Sequence, residues 1–319
     1  RLASCSFFCT FLSASPNFPN SVFTAPSTFQ TSLDRFSIAS VRKPICKLVS
    51  IAASVVGPLI ITRCSRETIF TLERACARSI AAACQGATFV QECGPDRLTI
   101  KHTMLAEAES ALAPEVIIAS STSSLMPSDI QAQMTHPARL LVAHPMNPPH
   151  LVPLVELVAG DKTAPDSVSQ ARIFYEAMAR VTVVALREEP GHIANRLTSA
   201  LYREAVHMVA SGIATVEDID KAVAWGPGLR WALMGPHLVY HLGGGAGGYR
   251  GYLEHLGPTQ ASRWQALGTP EMDRATIETL IAGLQDELAQ LGNPSRRALE
   301  EARDQGLIAL LRLKAGLPL

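Results

Sequence analysis

RLLVAHPMNPPHLVPLVELV, residues 139–158, contains two short apolar runs separated by a chain reversal. The runs 139–144 and 151–158 have the length and composition of buried strands, and the Asn-Pro-Pro sequence between them favours a turn. Two strands joined by a short connection bring their facing residues together. The pattern therefore predicts that His144 and Glu156 meet in the folded chain.

A histidine paired with a carboxylate is held in one tautomer, and its basicity is raised. Such a pair suits the removal of a proton from a hydroxyl group at neutral pH. Ser123 follows a third apolar run and is expected to add a hydrogen bond to the same hydroxyl oxygen. A loop histidine and a glutamate that caps a strand end remain the alternative, because the two residues alone do not identify a site.

Helical and strand patterns alternate on both sides of this stretch. Helices are predicted over residues 66–84, 96–113 and 164–180, and further strands over residues 87–92, 115–122 and 181–187. Alternation of this kind is typical of α/β proteins with a doubly wound parallel sheet. Ser120 and Ser123 lie just beyond a strand's carboxyl end, where open parallel sheets bind ligands.

The C-terminal part of the sequence is predicted to be all helical. Four helices are expected, over residues 194–212, 215–226, 275–291 and 295–313. Thr215 and Asp218 form a near capping box at the start of the second helix. The last two helices are amphipathic and suit either a partner subunit or a monomeric helical lid. The fold class is thus an incomplete doubly wound, Rossmann-like parallel sheet followed by an all-helical C-terminal domain.

The composition changes sharply near Arg66. Asp34 is the only acidic residue before it, and Gly57 is the only glycine before Gly86. A dinucleotide domain should begin with a strand, a GxGxxG turn and a helix, because glycine lets the backbone approach a pyrophosphate. The first strand, first helix and second strand of such a domain are therefore expected to be absent or replaced.

Three interpretations of this N-terminal part compete. It is a misassembled segment that replaces a first exon, a transit peptide, or a membrane attachment through residues 48–61, and we favour them in that order. We expect residues 1–70 to be disordered or misassembled, residues 71–187 to be the remainder of an NAD-binding domain, and residues 188–319 to be a helical substrate and dimerisation domain.

Gly243, Gly245 and Gly248 match the GxGxxG pattern literally. No strand–helix–strand unit continues beyond them, so a loop near the substrate is the preferred interpretation.

Four motifs in one order carry a family resemblance: FVQECGPDRLTIK (89–101), TSSL (122–125), HPMNPPHLVPLVELV (144–158) and PGHIANRL (190–197). Together they resemble the 3-hydroxyacyl-CoA dehydrogenase superfamily, and within it the branch of L-carnitine dehydrogenase and lambda-crystallin, an L-gulonate 3-dehydrogenase. The resemblance implies that His144 is the catalytic base, Glu156 its orienting partner, Ser123 a contact to the substrate hydroxyl, and Asn195 a polar group from the second domain.

The resemblance also implies NAD as cofactor. Asp96 and Lys101 match positions at which the family holds the cofactor with Glu and Lys, and we add Glu92 and Ser121 to this cofactor set. The Asp at position 96 is shorter than the family's Glu.

The segment WGPGLRWALMGPHLVYH, residues 225–241, contains features suited to a zwitterionic substrate. Arg230 can pair with a carboxylate, and Trp225, Trp231 and Tyr240 can face a quaternary ammonium group. Arg230, Trp231 and Asn147 are the predicted substrate residues. Packing of these aromatic side chains in the domain core is the alternative.

Composition limits the remaining possibilities. The 28 basic and 28 acidic residues balance, which gives no electrostatic reason to expect nucleic acid or an acidic membrane as partner. The seven cysteines show no CxxC pair or metal-ligand spacing, so we expect no metal, free thiols and a reducing compartment, cytoplasmic or mitochondrial.

Two functions remain open from the sequence. One is an NAD-dependent oxidoreductase, a homodimer by family resemblance, that oxidises an L-3-hydroxy acid of the carnitine or 3-hydroxyacyl-CoA type. The other is a non-catalytic family member that cannot bind NAD and serves as a structural or interaction protein.

Overall fold

The computed structural model describes residues 48–51, 59–63, 73–77 and 79–318. Two compact units divide the chain between Asn195 and Arg196, a few residues beyond the predicted boundary at 187/188. Most of the predicted N-terminal segment 1–70 lies outside the described residues. The predictions about its disorder and its origin concern these residues and stay predictions.

The first unit is built on a mixed sheet with a parallel half. Its strands are β1 (Leu48–Ile51), β2 (Leu59–Arg63), β3 (Glu73–Ala77), β4 (Phe89–Glu92), β5 (Ile117–Ser120), β6 (Leu140–Pro145), β7 (Leu154–Ala159) and β8 (Val181–Ala185). The main sheet has the order β1-β4-β5-β6-β7-β8, in which β1, β4, β5 and β6 run parallel. β7 runs antiparallel to β6, and β8 parallel to β7.

Helices cover this sheet, which explains the continuous apolar runs of its central strands. In this unit they are α1 (Ile80–Cys84), α2 (Leu98–Glu109), α3 (Pro127–Gln131) and α4 (Pro165–Ala177). One buried cluster joins α1 and α2 to the sheet and includes Leu105 and Ile118, while a second packs Tyr175 of α4 against Phe89 and Leu157. The predicted α/β class with a parallel sheet is confirmed.

The helix predicted over residues 66–84 is wrong at residues 73–77, which form strand β3. β3 pairs antiparallel with β2 along all five of its residues, and only Ile80–Cys84 is helical in the described part of this range. Helical spacing is a local signal, and pairing with a distant strand overrides it. Ser79 caps the short helix, because its hydroxyl accepts a bond from the Ala82 amide at 3.1 Å.

Strand β1 lies at the edge of the parallel sheet. From the sequence, the first strand, first helix and second strand of the dinucleotide domain are expected to be absent or replaced. β1 pairs in parallel with β4, with Leu48 opposite Phe89. The residues that follow β1, 52–58, are outside the described part of the chain.

The second unit is helical throughout its described residues. Its helices are α5 (Ala194–Ala210, whose first two residues belong to the first unit), α6 (Val216–Trp225), α7 (Pro227–Trp231), α8 (Pro236–Gly243), α9 (Gly248–Ala266), α10 (Arg274–Gln290) and α11 (Arg296–Ala315). Thr215 caps α6 through its hydroxyl and the Asp218 amide, 3.1 Å apart, as the capping pattern predicts. Among the described helices, none has the length and apolar character needed to cross a bilayer.

The glycine segment near residue 245 lies between two helices. α8 precedes it and α9 follows it, with a short 3-10 turn at Gly245–Gly247. A dinucleotide loop follows a strand, so the helix before Gly243 removes the context that the literal pattern requires.

Candidate active site

β6 and β7 place His144 directly opposite Glu156 in their antiparallel register. The His144 Nδ1 and Glu156 Oε2 atoms lie 2.8 Å apart. The connection between the strands contains a cis peptide bond before Pro148 and bends back through the Val152 amide, which donates to the Pro148 carbonyl at 2.9 Å. The meeting of the two side chains is therefore confirmed, whereas their catalytic role stays a prediction.

Glu156 has a second set of partners at the start of α5. Its Oε1 atom accepts bonds from the amides of Ile193 at 2.8 Å and Ala194 at 2.7 Å. These amides belong to the first turn of a helix, where backbone donors lack intrahelical partners and the helix dipole favours negative charge. The carboxylate thus both orients His144 and fixes the first turn of α5.

The environment of Glu156 favours its charged form. Complete burial opposes the charge, yet the bonds from His144, Ala194 and Ile193 together outweigh it, and the pKa of Glu156 lies below its ordinary value. A carboxylate only accepts hydrogen bonds, so Nδ1 of His144 carries a hydrogen. In this tautomer the Nε2 atom carries the lone pair that a general base needs.

A second imidazole lies beside the first. The rings of His144 and His192 have their centroids 5.4 Å apart, and His192 is buried. Its Nε2 donates to the Thr122 carbonyl at 3.1 Å. Burial lowers the pKa of His192 below its ordinary value, so the ring is neutral at neutral pH. The sequence analysis missed this residue, although the PGHIANRL motif contains it.

The predicted substrate contact Ser123 lies at the carboxyl edge of the parallel sheet, just after β5. Its amide and hydroxyl both donate to Asp96 Oδ2, at 3.2 and 3.1 Å. Asp96 comes from the neighbouring connection between β4 and α2. The two predicted residues therefore contact each other across the ends of adjacent strands, as the doubly wound sheet leads us to expect.

The other three predicted cofactor residues form a buried network with one another. Lys101 Nζ lies 2.7 Å from Glu92 Oε2, and both side chains are at most 1% exposed. Lys101 also donates to the Ser121 carbonyl at 3.2 Å. Glu92 and Lys101 therefore satisfy each other's charge, and their role as cofactor ligands stays a prediction.

Two further predicted residues lie near these elements. Asn147 is exposed in the connection between β6 and β7, and Asn195 is the second residue of α5, directly after the Ala194 amide that binds Glu156.

The predicted substrate residues of the helical unit are exposed. Trp225 is 78% and Trp231 41% accessible, which argues against the alternative that they fill the domain core. Tyr240 instead stacks on Tyr252 with ring centroids 4.4 Å apart. Within the described residues, the Arg230 guanidinium has no ion pair or hydrogen bond to another side chain.

Two family models match successive parts of the chain. Residues 39–189 match the NAD-binding domain of 3-hydroxyacyl-CoA dehydrogenase, and residues 191–279 match its C-terminal domain. The chain belongs to the 3-hydroxyacyl-CoA dehydrogenase family. The predicted family membership is confirmed. The predictions of an NAD-dependent oxidoreductase, with an NAD-binding sheet domain and a helical C-terminal domain, are confirmed as well.

Curated relatives of this chain include L-carnitine dehydrogenases. The protein of Streptomyces coelicolor is 46% identical over 73% of this chain and 73% of its own length, and that of Streptomyces griseus subsp. griseus is 45% identical over 75% and 71%. A crystal structure of 5-formyl-3-hydroxy-2-methylpyridine 4-carboxylic acid 5-dehydrogenase, an NAD+-dependent dismutase, superposes with a TM-score of 0.63. It is 26% identical and covers 75% of this chain and 77% of that one.

The residues of this chain fit the family's cofactor in part. The carboxyl ends of β4 and β5 meet at one edge, and Ser121 and Asp96 lie there with partly exposed side chains. This is the edge where open sheets of the family's type bind dinucleotides. The glycine-rich pyrophosphate turn is the part that the sequence lacks, since Gly57 alone precedes Gly86.

Proposed function

We propose that this chain oxidises the hydroxyl group of an L-3-hydroxy acid with NAD+, and that L-carnitine is its substrate. The observation that carries the proposal is the 2.8 Å contact between His144 Nδ1 and Glu156 Oε2. This contact leaves the Nε2 lone pair as a base, and family membership supplies the redox chemistry. The carnitine dehydrogenases among the relatives support the substrate.

The chemical step follows from the state of His144. Nε2 of His144 accepts the proton of the substrate hydroxyl group. The C–H bond of the carbon that carries this hydroxyl breaks, its electron pair leaves as a hydride, and a carbonyl group forms at that carbon. Bound NAD+ supplies the acceptor for the hydride. Glu156 stabilises the imidazolium ion that His144 becomes, and its bonds to Ile193 and Ala194 keep the carboxylate in place.

The other predicted residues take supporting roles. Ser123 and Asn195 contact the reacting hydroxyl region, and Ser121 and Asp96 lie on the cofactor's edge of the sheet. Lys101 and Glu92 support that edge from inside, where they are fully buried.

Recognition of a zwitterion would use the helical unit. A carboxylate matches the Arg230 guanidinium, and a trimethylammonium group matches the exposed ring of Trp231. Exposure of both Trp225 and Trp231 supports this proposal, because large apolar rings left at a surface mark binding areas. Asn147, in the connection between β6 and β7, is the proposed substrate residue of the sheet unit.

A substrate panel tests the proposal. NADH formation is followed with L-carnitine, D-carnitine, L-gulonate and (S)-3-hydroxybutyryl-CoA, each at saturating NAD+. We expect the highest kcat/KM with L-carnitine and no NADH formation with D-carnitine. A higher kcat/KM with the acyl-CoA would overturn the substrate proposal while leaving the reaction type intact.

The second candidate function is a family member without catalysis. It is favoured by one observation, the missing glycine-rich turn, because backbone amides of that turn bind the pyrophosphate in such domains. In that case the chain keeps its fold and acts as a structural or interaction protein, and no member of the panel is oxidised.

We also propose a homodimer. One face of α10 carries the exposed apolar residues Ile277, Ile281 and Leu284, which recur at helical spacing. A second copy of the chain would cover this stripe. We further propose a reducing compartment, either cytoplasm or mitochondrion, because the seven cysteines of the sequence show no CxxC pair or metal-ligand spacing.

A further inference from the structure

The carboxylate of Asp96 accepts hydrogen bonds from the loop that follows β5. Its Oδ2 atom accepts three bonds, from the Ser123 amide at 3.2 Å, the Ser123 hydroxyl at 3.1 Å and the Ser124 hydroxyl at 3.4 Å. A carboxylate only accepts, so the Ser123 hydroxyl hydrogen points to Asp96. One oxygen atom therefore fixes both the backbone and the side chain of Ser123.

Lys101 binds the ends of the two strands that precede Asp96 and Ser123. Its ammonium group has three hydrogens, and three acceptors surround it: Glu92 Oε2 at 2.7 Å, the Ser121 carbonyl at 3.2 Å and the Gly94 carbonyl at 3.4 Å. The side chain is fully buried. Since Gly94 follows β4 and Ser121 follows β5, Lys101 ties the ends of the two strands together.

The charges of this network place a net negative charge at Asp96. Lys101 balances Glu92 at 2.7 Å, whereas Asp96 Oδ1 lies 3.8 Å from the ammonium group and its side chain is 33% exposed. The carboxylate is thus anchored on one side by Lys101 and directed to Ser123 on the other.

We propose that Asp96 is a positioning residue for Ser123. This inference rests on the proposed function, in which Ser123 contacts the reacting hydroxyl. The carboxylate of Asp96 lies within hydrogen-bond distance of both Ser123 and Ser124.

A double-mutant cycle tests the proposal. Asp96→Ala and Ser123→Ala are made singly and together, and kcat, KM for the hydroxy acid and KM for NAD+ are measured. We expect each single change to lower kcat with the hydroxy acid by about tenfold, the size of a lost bond to a charged group. The double variant should be no slower than either single variant, because both changes remove one interaction.

Two companions sharpen the cycle. Asp96→Asn keeps an acceptor oxygen and should retain more activity than Asp96→Ala. Ser124→Ala removes only the longest of the three bonds and should change kcat by less than about threefold. Multiplying effects in the double variant would show that Asp96 acts independently of Ser123 and would overturn the proposal.

A second measurement does not depend on turnover. Amide hydrogen exchange of Ser123 is compared in the full-length wild-type chain, Asp96→Ala and Ser124→Ala. We expect faster exchange of Ser123 in Asp96→Ala alone, because its amide loses its acceptor. Unchanged exchange would overturn the positioning role, whereas inactivity of the wild-type chain toward the whole panel would overturn only the proposed function.

Discussion

At the residue scale, the two carboxylate oxygen atoms of Glu156 accept hydrogen bonds from three residues. Oε2 accepts from His144 at 2.8 Å, and Oε1 accepts from the Ile193 and Ala194 amides. The ring of His144 is thereby held by a carboxylate that cannot turn away without breaking the first turn of α5. Because orientation of the base and the start of a helix share one side chain, a change at Glu156 affects activity and stability together.

Replacing His144 by Ala tests the base. We expect kcat to fall by about a hundredfold or more, since general base catalysis contributes at least that much. The fold should remain, because Glu156 keeps its two backbone donors. His255→Ala, at an exposed position of α9, is the control and should keep wild-type turnover. Equal kcat in both variants would refute the assignment of His144.

Replacing Glu156 by Gln tests the carboxylate through pH. Its pKa in the folded protein is lower than the ordinary 4.5, so its charge adds stability above that pH, and this stability is lost as the pH falls through the folded value. The melting temperature of Glu156→Gln should therefore lie furthest below the wild type near pH 7, and the gap should narrow below pH 4.5. Glu300→Gln, at an exposed ion pair of α11, is the control. A gap that does not change with pH would contradict this view of Glu156.

The sequence was sufficient to pair His144 with Glu156, because both lie in one local unit of two apolar runs and a turn. It was not sufficient to reveal the cap on α5, since Ile193 is 37 residues from Glu156. The same limit applies to Lys101, whose Ser121 partner is 20 residues away. Contacts of this kind depend on which strands become neighbours, and no local pattern records that.

At the element scale, predictions held where an element's own periodicity decides its structure. β6 and β7 are buried strands that read as apolar runs, and α6 begins at the predicted cap Thr215. The helix predicted over residues 66–84 failed at residues 73–77, because β3 pairs there with β2. Strand formation there is decided by a partner and not by spacing within the segment.

The apolar stripe of α10 supports a prediction about assembly. Ile281→Glu places a charge in the centre of the stripe, and we expect the dimer to dissociate to monomers, because an unpaired buried charge at an interface is strongly unfavourable. Ala282→Glu introduces the same residue at a neighbouring exposed position on another side of the helix and should remain dimeric. Sedimentation velocity measures both, and a dimeric Ile281→Glu would refute this interface.

At the scale of the whole molecule, both domains of the family are present in one chain. Residues 39–189 match the NAD-binding domain, and β1 pairs with β4 at the edge of its sheet. The glycine-rich turn that should follow the first strand is missing from the sequence. Cofactor binding is therefore the property on which the enzyme and the non-catalytic alternative differ most clearly.

Titration of the full 319-residue chain with NADH is the most direct measurement, with nicotinamide fluorescence and melting temperature followed together. We predict saturable binding accompanied by a rise in melting temperature, because a ligand that binds only the folded state stabilises it. A folded chain that shows neither a fluorescence change nor stabilisation at any NADH concentration would contradict the assignment as an NAD-dependent dehydrogenase.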